Sequence, residues 1–254
     1  MTMAVSHLFG RVEAPYWDDK PVAIVAGGPS LAGFDFERLR AIGCHVLAVK
    51  GSIFDLPWAD AGFGIDRPRL VEWWDRFDTE VTMPIYYGLD PDWLATVNRR
   101  LPRTMIALKR LRGNALPEND GEVYSGGTSG FGAFGIIKLK RARRVVAFGY
   151  DYGGAPPVVE EKVSKRGRVL RREVPAKGWR HNDKHYIRPR SQSAQQWTEW
   201  AAVYDEIAPP LATAGVEVVN ASPHSNVTAF PRCSVEDGVA LLRAWTVEAE
   251  AAAA

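Results

Sequence analysis

Val22-Ala23-Ile24-Val25-Ala26 has no polar position, and neither do Val46-Leu47-Ala48-Val49 and Val145-Val146-Ala147-Phe148. A strand with one wet face alternates apolar and polar residues. An unbroken apolar run of four or five residues instead belongs to a strand covered on both sides, the condition of a parallel sheet. The segments between these runs carry helical periodicity, so strand and helix alternate and the connections are right-handed crossovers. This predicts an α/β fold, Rossmann-like, with a mostly parallel sheet and helices on both faces. Strands are expected at 22–26, 45–49, 61–65, 145–148 and 216–219, with two further candidates near 83–87 and 104–108. Helices are expected at 35–42, through 70–74, at 131–139 and at 193–211.

The periodicity stops between Tyr152 and Arg190. Pro156-Pro157 opens this stretch, Ser164-Lys165-Arg166-Gly167-Arg168 has the composition of a hairpin turn, and residues 160–190 hold eleven Lys or Arg against four Asp or Glu. So long an irregular insertion in an α/β chain marks a functional lid or binding loop. The expectation is one nucleotide-binding domain over 1–254 with a basic lid at about 152–190. The tail from Glu248 to Ala254 shows nothing to bury and reads as a frayed end.

The other bounds are brief. Formal net charge is only +2, so any polyanion-binding signal is local to the lid. The two cysteines, Cys44 and Cys233, have no metal-ligand spacing, and a disulfide framework is not expected. There is no signal-peptide pattern, and no window approaches the roughly 18 apolar residues of a membrane span. A soluble, cytoplasmic protein is expected; its oligomeric state is not legible.

Chemistry concentrates where strands end. Gly27-Gly28-Pro29-Ser30 follows the first strand. Glycines there let backbone approach a ligand, and a helix start suits an anion. The pattern is neither a dinucleotide fingerprint nor a P-loop. Gly126-Gly127-Thr128-Ser129-Gly130 is a second glycine-rich helix start, able to cap the helix or to meet phosphate or ribose. Asp66 and Asp151 close two strands and suit ribose contact, magnesium or general-base chemistry. The lid offers His181, Asp183 and His185 as acid–base candidates, and Trp179 and Tyr186 for stacking. His224 follows the last strand. No metal-ligand motif is present, and each of these residues also has a bland reading as a cap, a solvated loop or an ordinary ion pair.

Five motifs then stand in one order: Ala26-Gly27-Gly28-Pro29-Ser30-Leu31, Thr128-Ser129-Gly130, Gly149-Tyr150-Asp151-Tyr152, His185-Tyr186-Ile187, and Ala221-Ser222-Pro223-His224-Ser225. The order resembles that of bacterial lipooligosaccharide sialyltransferases, which use CMP-activated sialic acid. It is also similar to a group of tailed-phage proteins and, more distantly, to the 6-hydroxymethylpterin diphosphokinase-like family. The resemblance covers about 22–231. It implies that Gly27, Gly28, Pro29, Ser30, Lys50, Asp66, Thr128, Ser129 and Gly130 line a nucleotide site. The chain departs from the sialyltransferases at Gly27, Lys50 and Asp66, each an asparagine there. It departs again at Pro189, where they carry the catalytic histidine, and at Gly153, where a tyrosine assists the leaving phosphate. His181 or His185 would then replace the base.

The resulting expectation is a glycosyltransferase with a CMP- or UDP-linked sugar donor. His185, His181, Asp183 and Asp151 form its catalytic set, and Arg180, Tyr186, Arg188 and His224 contact acceptor or phosphate. The donor is a substrate, no cofactor is tightly bound, and magnesium is admitted. The acceptor is a glycan or modified DNA reached through the basic lid, in a host cytoplasm if the chain is phage-encoded. Two alternatives stand beside it: a magnesium-dependent diphosphokinase using Asp66 and Asp151 as metal ligands, and a non-catalytic nucleotide- or nucleic-acid-binding protein.

Overall fold

A computed structural model describes residues 9–153, 158–163, 169–174, 185 and 193–253. Eight parallel strands form one sheet in the order β10-β7-β1-β2-β3-β4-β5-β6. Their ranges are β1 Val22–Val25, β2 His45–Val49, β3 Ala61–Gly64, β4 Ile85–Leu89, β5 Met105–Leu111, β6 Glu122–Tyr124, β7 Arg144–Phe148 and β10 Glu217–Asn220. All four residues of β1 are 0% exposed, as a strand with two covered faces requires.

Alternate β1 side chains enter opposite cores, because successive Cβ atoms point to opposite faces. Val22 and Ile24 join Phe131, Phe134, Tyr204, Ile207 and Leu211. These come from α5 Ser129–Leu139 and α7 Tyr204–Thr213, the latter preceded by α6 Ala194–Ala202. Ala23 and Val25 join Leu39, Ile53, Leu70, Trp73, Phe77, Val239, Leu242 and Trp245. Those lie on α1 Glu37–Ile42, α2 Ser52–Asp55, α3 Arg67–Thr79 and α8 Val235–Ala253. A short α4, Pro91–Leu94, follows β4. From β1 the chain runs out through β2 to β6; from β7 it runs the other way to β10. The boundary between β1 and β7 is therefore the topological switch point, and the carboxyl ends of these strands face one edge of the sheet.

The expected Rossmann-like sheet is present, with the short β6, α2 and α4 added and three larger differences. First, the exposed tail from Glu248 is helical through Ala253 and ends a longer helix that was not expected. This is the 19-residue α8, whose Val239, Leu242 and Trp245 are buried and whose Glu248 pairs with Arg144. Its start is marked by Ser234, whose hydroxyl accepts from the Asp237 amide at 3.0 Å and donates to the Asp237 carboxylate at 2.6 Å. Second, the helix expected at 193–211 is divided at Val203 into α6 and α7. Third, the insertion contains an antiparallel pair, β8 Val158–Val163 with β9 Val169–Val174, in a sheet of its own. The turn expected at 164–168 lies outside the described residues.

Lys140 holds the N-terminal segment to the far end of the sheet. It is 4% exposed, and its ammonium donates to the Glu13 carbonyl at 2.5 Å and the Pro15 carbonyl at 3.1 Å. The Trp17 and Tyr86 rings each lie 5.5 Å from Nζ. Burial lowers its pKa, with Asp60 and Glu13 pulling the other way. Lys140→Met strands two carbonyls that a charged donor now satisfies, so a loss of about 2–4 kcal/mol is expected in urea unfolding. Faster proteolysis within 9–17 should accompany it.

Candidate functional site at the carboxyl edge of the sheet

The switch point is closed by backbone contacts between the two strand ends. Ala26 donates to the Phe148 carbonyl at 2.9 Å and Gly28 to the Gly149 carbonyl at 3.0 Å. Asp151 sits directly over this join. A Cβ on Gly28 would stand 1.8 Å from Asp151 Oδ2 and 2.4 Å from the Gly149 oxygen, so the glycine is required by close approach. The following turn, Pro29–Leu31, is a single 3-10 turn. Its Ser30 hydroxyl donates to Asp151 Oδ2 at 2.8 Å, and the Ser30 amide points at the same oxygen from 3.4 Å. The turn therefore addresses a carboxylate of the protein itself. Where the sequence suggested an amide cradle for phosphate, the amides of Gly28 and Ser30 are directed inward to Gly149 and Asp151.

Asp151 is 2% exposed. Burial pushes its carboxyl up from the ordinary 3.8 to about 6, while the Ser30 hydroxyl and amide and the nearby His224 pull the other way. The loop after β10 holds it in place. Ser222 Oγ accepts from the Tyr150 amide at 2.9 Å and lies 3.3 Å from Ser30 Oγ. Asn226 donates its amide N–H to the Asp151 carbonyl at 3.0 Å and its side-chain N–H to the Tyr152 carbonyl at 2.8 Å. His224 is exposed at the rim. Gly153, at φ 95°, has the Asn226 amide and the Trp197 side chain where a Cβ would be, so this position has no room for a tyrosine.

The neighbouring strand ends continue the site. Lys50, after β2, and Asp66, after β3, form an ion pair across the edge. Two residues that read in sequence as separate departures from a family pattern are thus partners. Thr128 caps α5 by accepting from the Phe131 amide at 3.2 Å, and its hydroxyl lies 2.8 Å from that of Tyr152. Tyr152 in turn meets Tyr204 at 2.6 Å. Ser129 is 0% exposed, and its hydroxyl accepts from the Ile65 amide at 3.3 Å. Gly130 is buried, and its carbonyl accepts from Tyr150 at 3.0 Å. Lys50 and Tyr152 both hold left-handed backbone, at φ 57° and 44°. Such conformations cost about 1–3 kcal/mol each and persist where the surrounding structure over-determines them, as at Arg141 before β7.

The structure thus brings Ser30, Lys50, Asp66, Thr128, Asp151 and His224 to one edge of the sheet. His185 sits elsewhere, on the face made by α2 and α3. Its Nε2 is 2.9 Å from Asp55 Oδ1, and the Trp73 indole donates to its carbonyl at 2.7 Å. Arg180, His181, Asp183, Tyr186 and Arg188 lie outside the described residues. Among the described residues there is no group of three or more His, Cys, Asp or Glu side chains gathered for a metal, and no helix long and apolar enough to cross a membrane.

Sequence reasoning held Ser222 only as part of its last motif and missed that it ties Ser30 to Tyr150; it missed Tyr204, whose hydroxyl closes the Thr128 chain. It also missed an open cleft farther along the edge, lined by Arg67, Asp90, Trp93, Arg110, Arg112 and Ser125 among others. Asp90 and Ser125 follow strand ends directly and Arg67 opens the helix after β3, which is the signal that would have found them.

No family model matches this sequence, and no curated protein matches it. Among solved structures, a Maf glycosyltransferase from Magnetospirillum magneticum AMB-1 superposes with a TM-score of 0.52 at 15% identity. The match covers 95% of this chain and 40% of that one, so this chain spans well under half the length of the protein it resembles. At this identity the likeness is one of fold: the chain is a Rossmann-like α/β protein whose polar strand-end residues line one edge of a parallel sheet.

Proposed function

We propose that this chain transfers a sugar from a nucleotide-activated donor to an acceptor hydroxyl, with the donor seated across the β1–β7 switch point. The observation that carries the reading is Asp151: a buried carboxyl at the carboxyl edge of a parallel sheet, titrating at about 6 and aimed by a serine hydroxyl. A base of that pKa is ionised at neutral pH yet still takes a proton readily. The glycosyltransferase of similar fold supports the same reaction class.

In this scheme Asp151 removes the acceptor proton as the acceptor oxygen bonds to the anomeric carbon. The bond from that carbon to the donor phosphate breaks, and its electron pair leaves on the phosphate. The Lys50 ammonium and the His224 ring border the departing phosphate and offer it hydrogen bonds. The turn Gly27–Ser30 and the Thr128 loop border the donor and orient it. The donor is CMP-linked, as the sialyltransferase resemblance implies, or UDP-linked, and the acceptor is a glycan or modified DNA.

A thermal-shift panel of CMP, UDP, GDP, ADP and ATP, each with and without magnesium, tests the donor class. A rise in Tm with CMP or UDP that needs no metal is expected. A rise confined to magnesium–ATP would move the assignment to phosphoryl transfer, and no rise with any nucleotide would contradict a nucleotide donor.

A further inference from the structure

The open cleft has a volume of about 730 Å³ and lies on the same edge, beyond the Lys50–Asp66 pair. Arg67 is the first residue of α3, and Asp66 immediately precedes it. Asp90, Asp92, Trp93 and Thr96 come from the segment after β4, Arg110 and Arg112 from the end of β5, and Ser125 from the end of β6. The cleft shares a wall with the switch-point site. Ser125 lines it, the Thr128 amide donates to the Ser125 carbonyl at 2.8 Å, and the Thr128 side chain meets Tyr152.

Its charge is unevenly committed. Arg110 is fixed: Nε and Nη2 both bond the Asp90 carboxylate, and Nη1 reaches the Ile65 carbonyl at 3.3 Å. That pair cancels itself. Arg67 and Arg112 are exposed and have no carboxylate partner among the described residues. The Arg67 guanidinium stands 6.0 Å from the half-buried Trp93 ring. Two guanidiniums without a carboxylate partner, against the one remaining cleft carboxylate, Asp92, leave the cleft net positive; with the Trp93 indole, Thr96 and Ser125 this makes a concave site for an anion with one apolar platform and several hydrogen-bonding groups. That set matches a sugar ring carrying an acid group.

Resting on the transferase reading above, we propose that this cleft is the acceptor subsite and that it takes an acidic saccharide. The carboxylate or phosphate of the acceptor sits on Arg67 and Arg112. One ring face lies on Trp93, and hydroxyls meet Asp92, Thr96 and Ser125. An acceptor held there lies along the same edge as a donor at β1–β7, and its free hydroxyl extends past Ser125 and Thr128 toward Asp151.

Ligand-observed NMR titration of the whole chain with glucuronic acid, glucose 6-phosphate, glucose and inorganic phosphate tests this. One or both acidic sugars are expected to bind at least tenfold tighter than glucose and to receive saturation transfer on their ring protons. The two arms separate a carboxylate from a phosphate preference. R67Q/R112Q, checked for an unchanged melting profile, should bring the acidic sugar down to the glucose level, and Trp93→Phe should keep binding that Trp93→Ala loses. Equal binding of glucose, phosphate binding without sugar-ring saturation, or unchanged binding in R67Q/R112Q would each overturn the proposal. The nucleotide panel repeated on R67Q/R112Q separates the two readings. A CMP or UDP shift that persists while sugar selectivity is lost supports the acceptor subsite. A shift that disappears makes the cleft the nucleotide site and overturns it. Acidic-sugar selectivity without any nucleotide shift would leave the cleft standing and remove the donor reading instead.

Discussion

Gly28→Ala is expected to lower stability by about 3 kcal/mol or more and to abolish the proposed transfer, although it adds a single methyl group. The glycine has ordinary extended backbone, φ −73° and ψ 153°, so alanine is conformationally acceptable. The cost is steric. The new Cβ would fall 1.8 Å from Asp151 Oδ2 and 2.4 Å from the Gly149 oxygen. Overpacking costs typically about 1–3 kcal/mol where side chains can adjust, and more where the neighbour is backbone. Here the Gly28–Gly149 hydrogen bond joins the ends of β1 and β7, so relieving the clash pulls the switch point apart. Urea unfolding measures the loss. The double variant Gly28→Ala/Asp151→Ala should recover only part of it, because the Gly149 carbonyl stays where it is. Full recovery would show that the carboxylate alone dictates the glycine.

Asp151→Asn is expected to separate function from stability. In the proposed scheme the base contributes about 10²–10⁴-fold to transfer, and the amide that replaces it in Asp151→Asn cannot accept the proton. Stability moves the other way. The folded carboxyl titrates at about 6 against an ordinary 3.8. Between those values the folded state binds more protons than the unfolded one, so stability falls as pH rises through about 4 to 6. At about 1.4 kcal/mol per pH unit the full penalty is about 3 kcal/mol, present above pH 6 and absent below pH 4. The difference in unfolding free energy between Asp151→Asn and the parent should therefore be near zero at pH 4 and reach up to about 3 kcal/mol in favour of the variant at pH 7. A difference independent of pH would mean that the buried carboxyl is not shifted. Unchanged transfer activity would remove Asp151 from the chemistry.

The scaffold was legible because its strands announce themselves without reference to anything distant. Val22 to Val25 and Val145 to Phe148 are apolar at every position, and a parallel sheet is the setting in which that is stable. β6 was not legible: Glu122-Val123-Tyr124 is too short for any period to show. The helix α8 was missed for a different reason. Its alanine-rich end draws the eye to composition, while the signals that matter are the Ser234–Asp237 cap and the 239, 242, 245 stripe, which only pays off against β7.

At the site, sequence located the residues and misjudged their partners. Ser30 and Asp151 stand 121 positions apart, and nothing local says that the glycine turn faces a carboxylate instead of a bound phosphate. Lys50 and Asp66 are likewise paired only because β2 and β3 are adjacent. The second glycine run divides its labour: Thr128 caps α5 and reaches Tyr152, whereas Ser129 faces inward to hold the end of β3. Strand-end position predicts which edge a residue occupies; which group it meets there depends on the order of the strands in the sheet.

The central claim is that the nucleotide binds across the ends of β1 and β7. Hydrogen–deuterium exchange of the whole chain, with and without saturating CMP or UDP, locates binding directly. Protection is expected in peptides covering 26–31 and 149–152, with little change in 90–96 and 110–112. Protection confined to the latter segments, or absent from both strand ends under either nucleotide, would contradict the account.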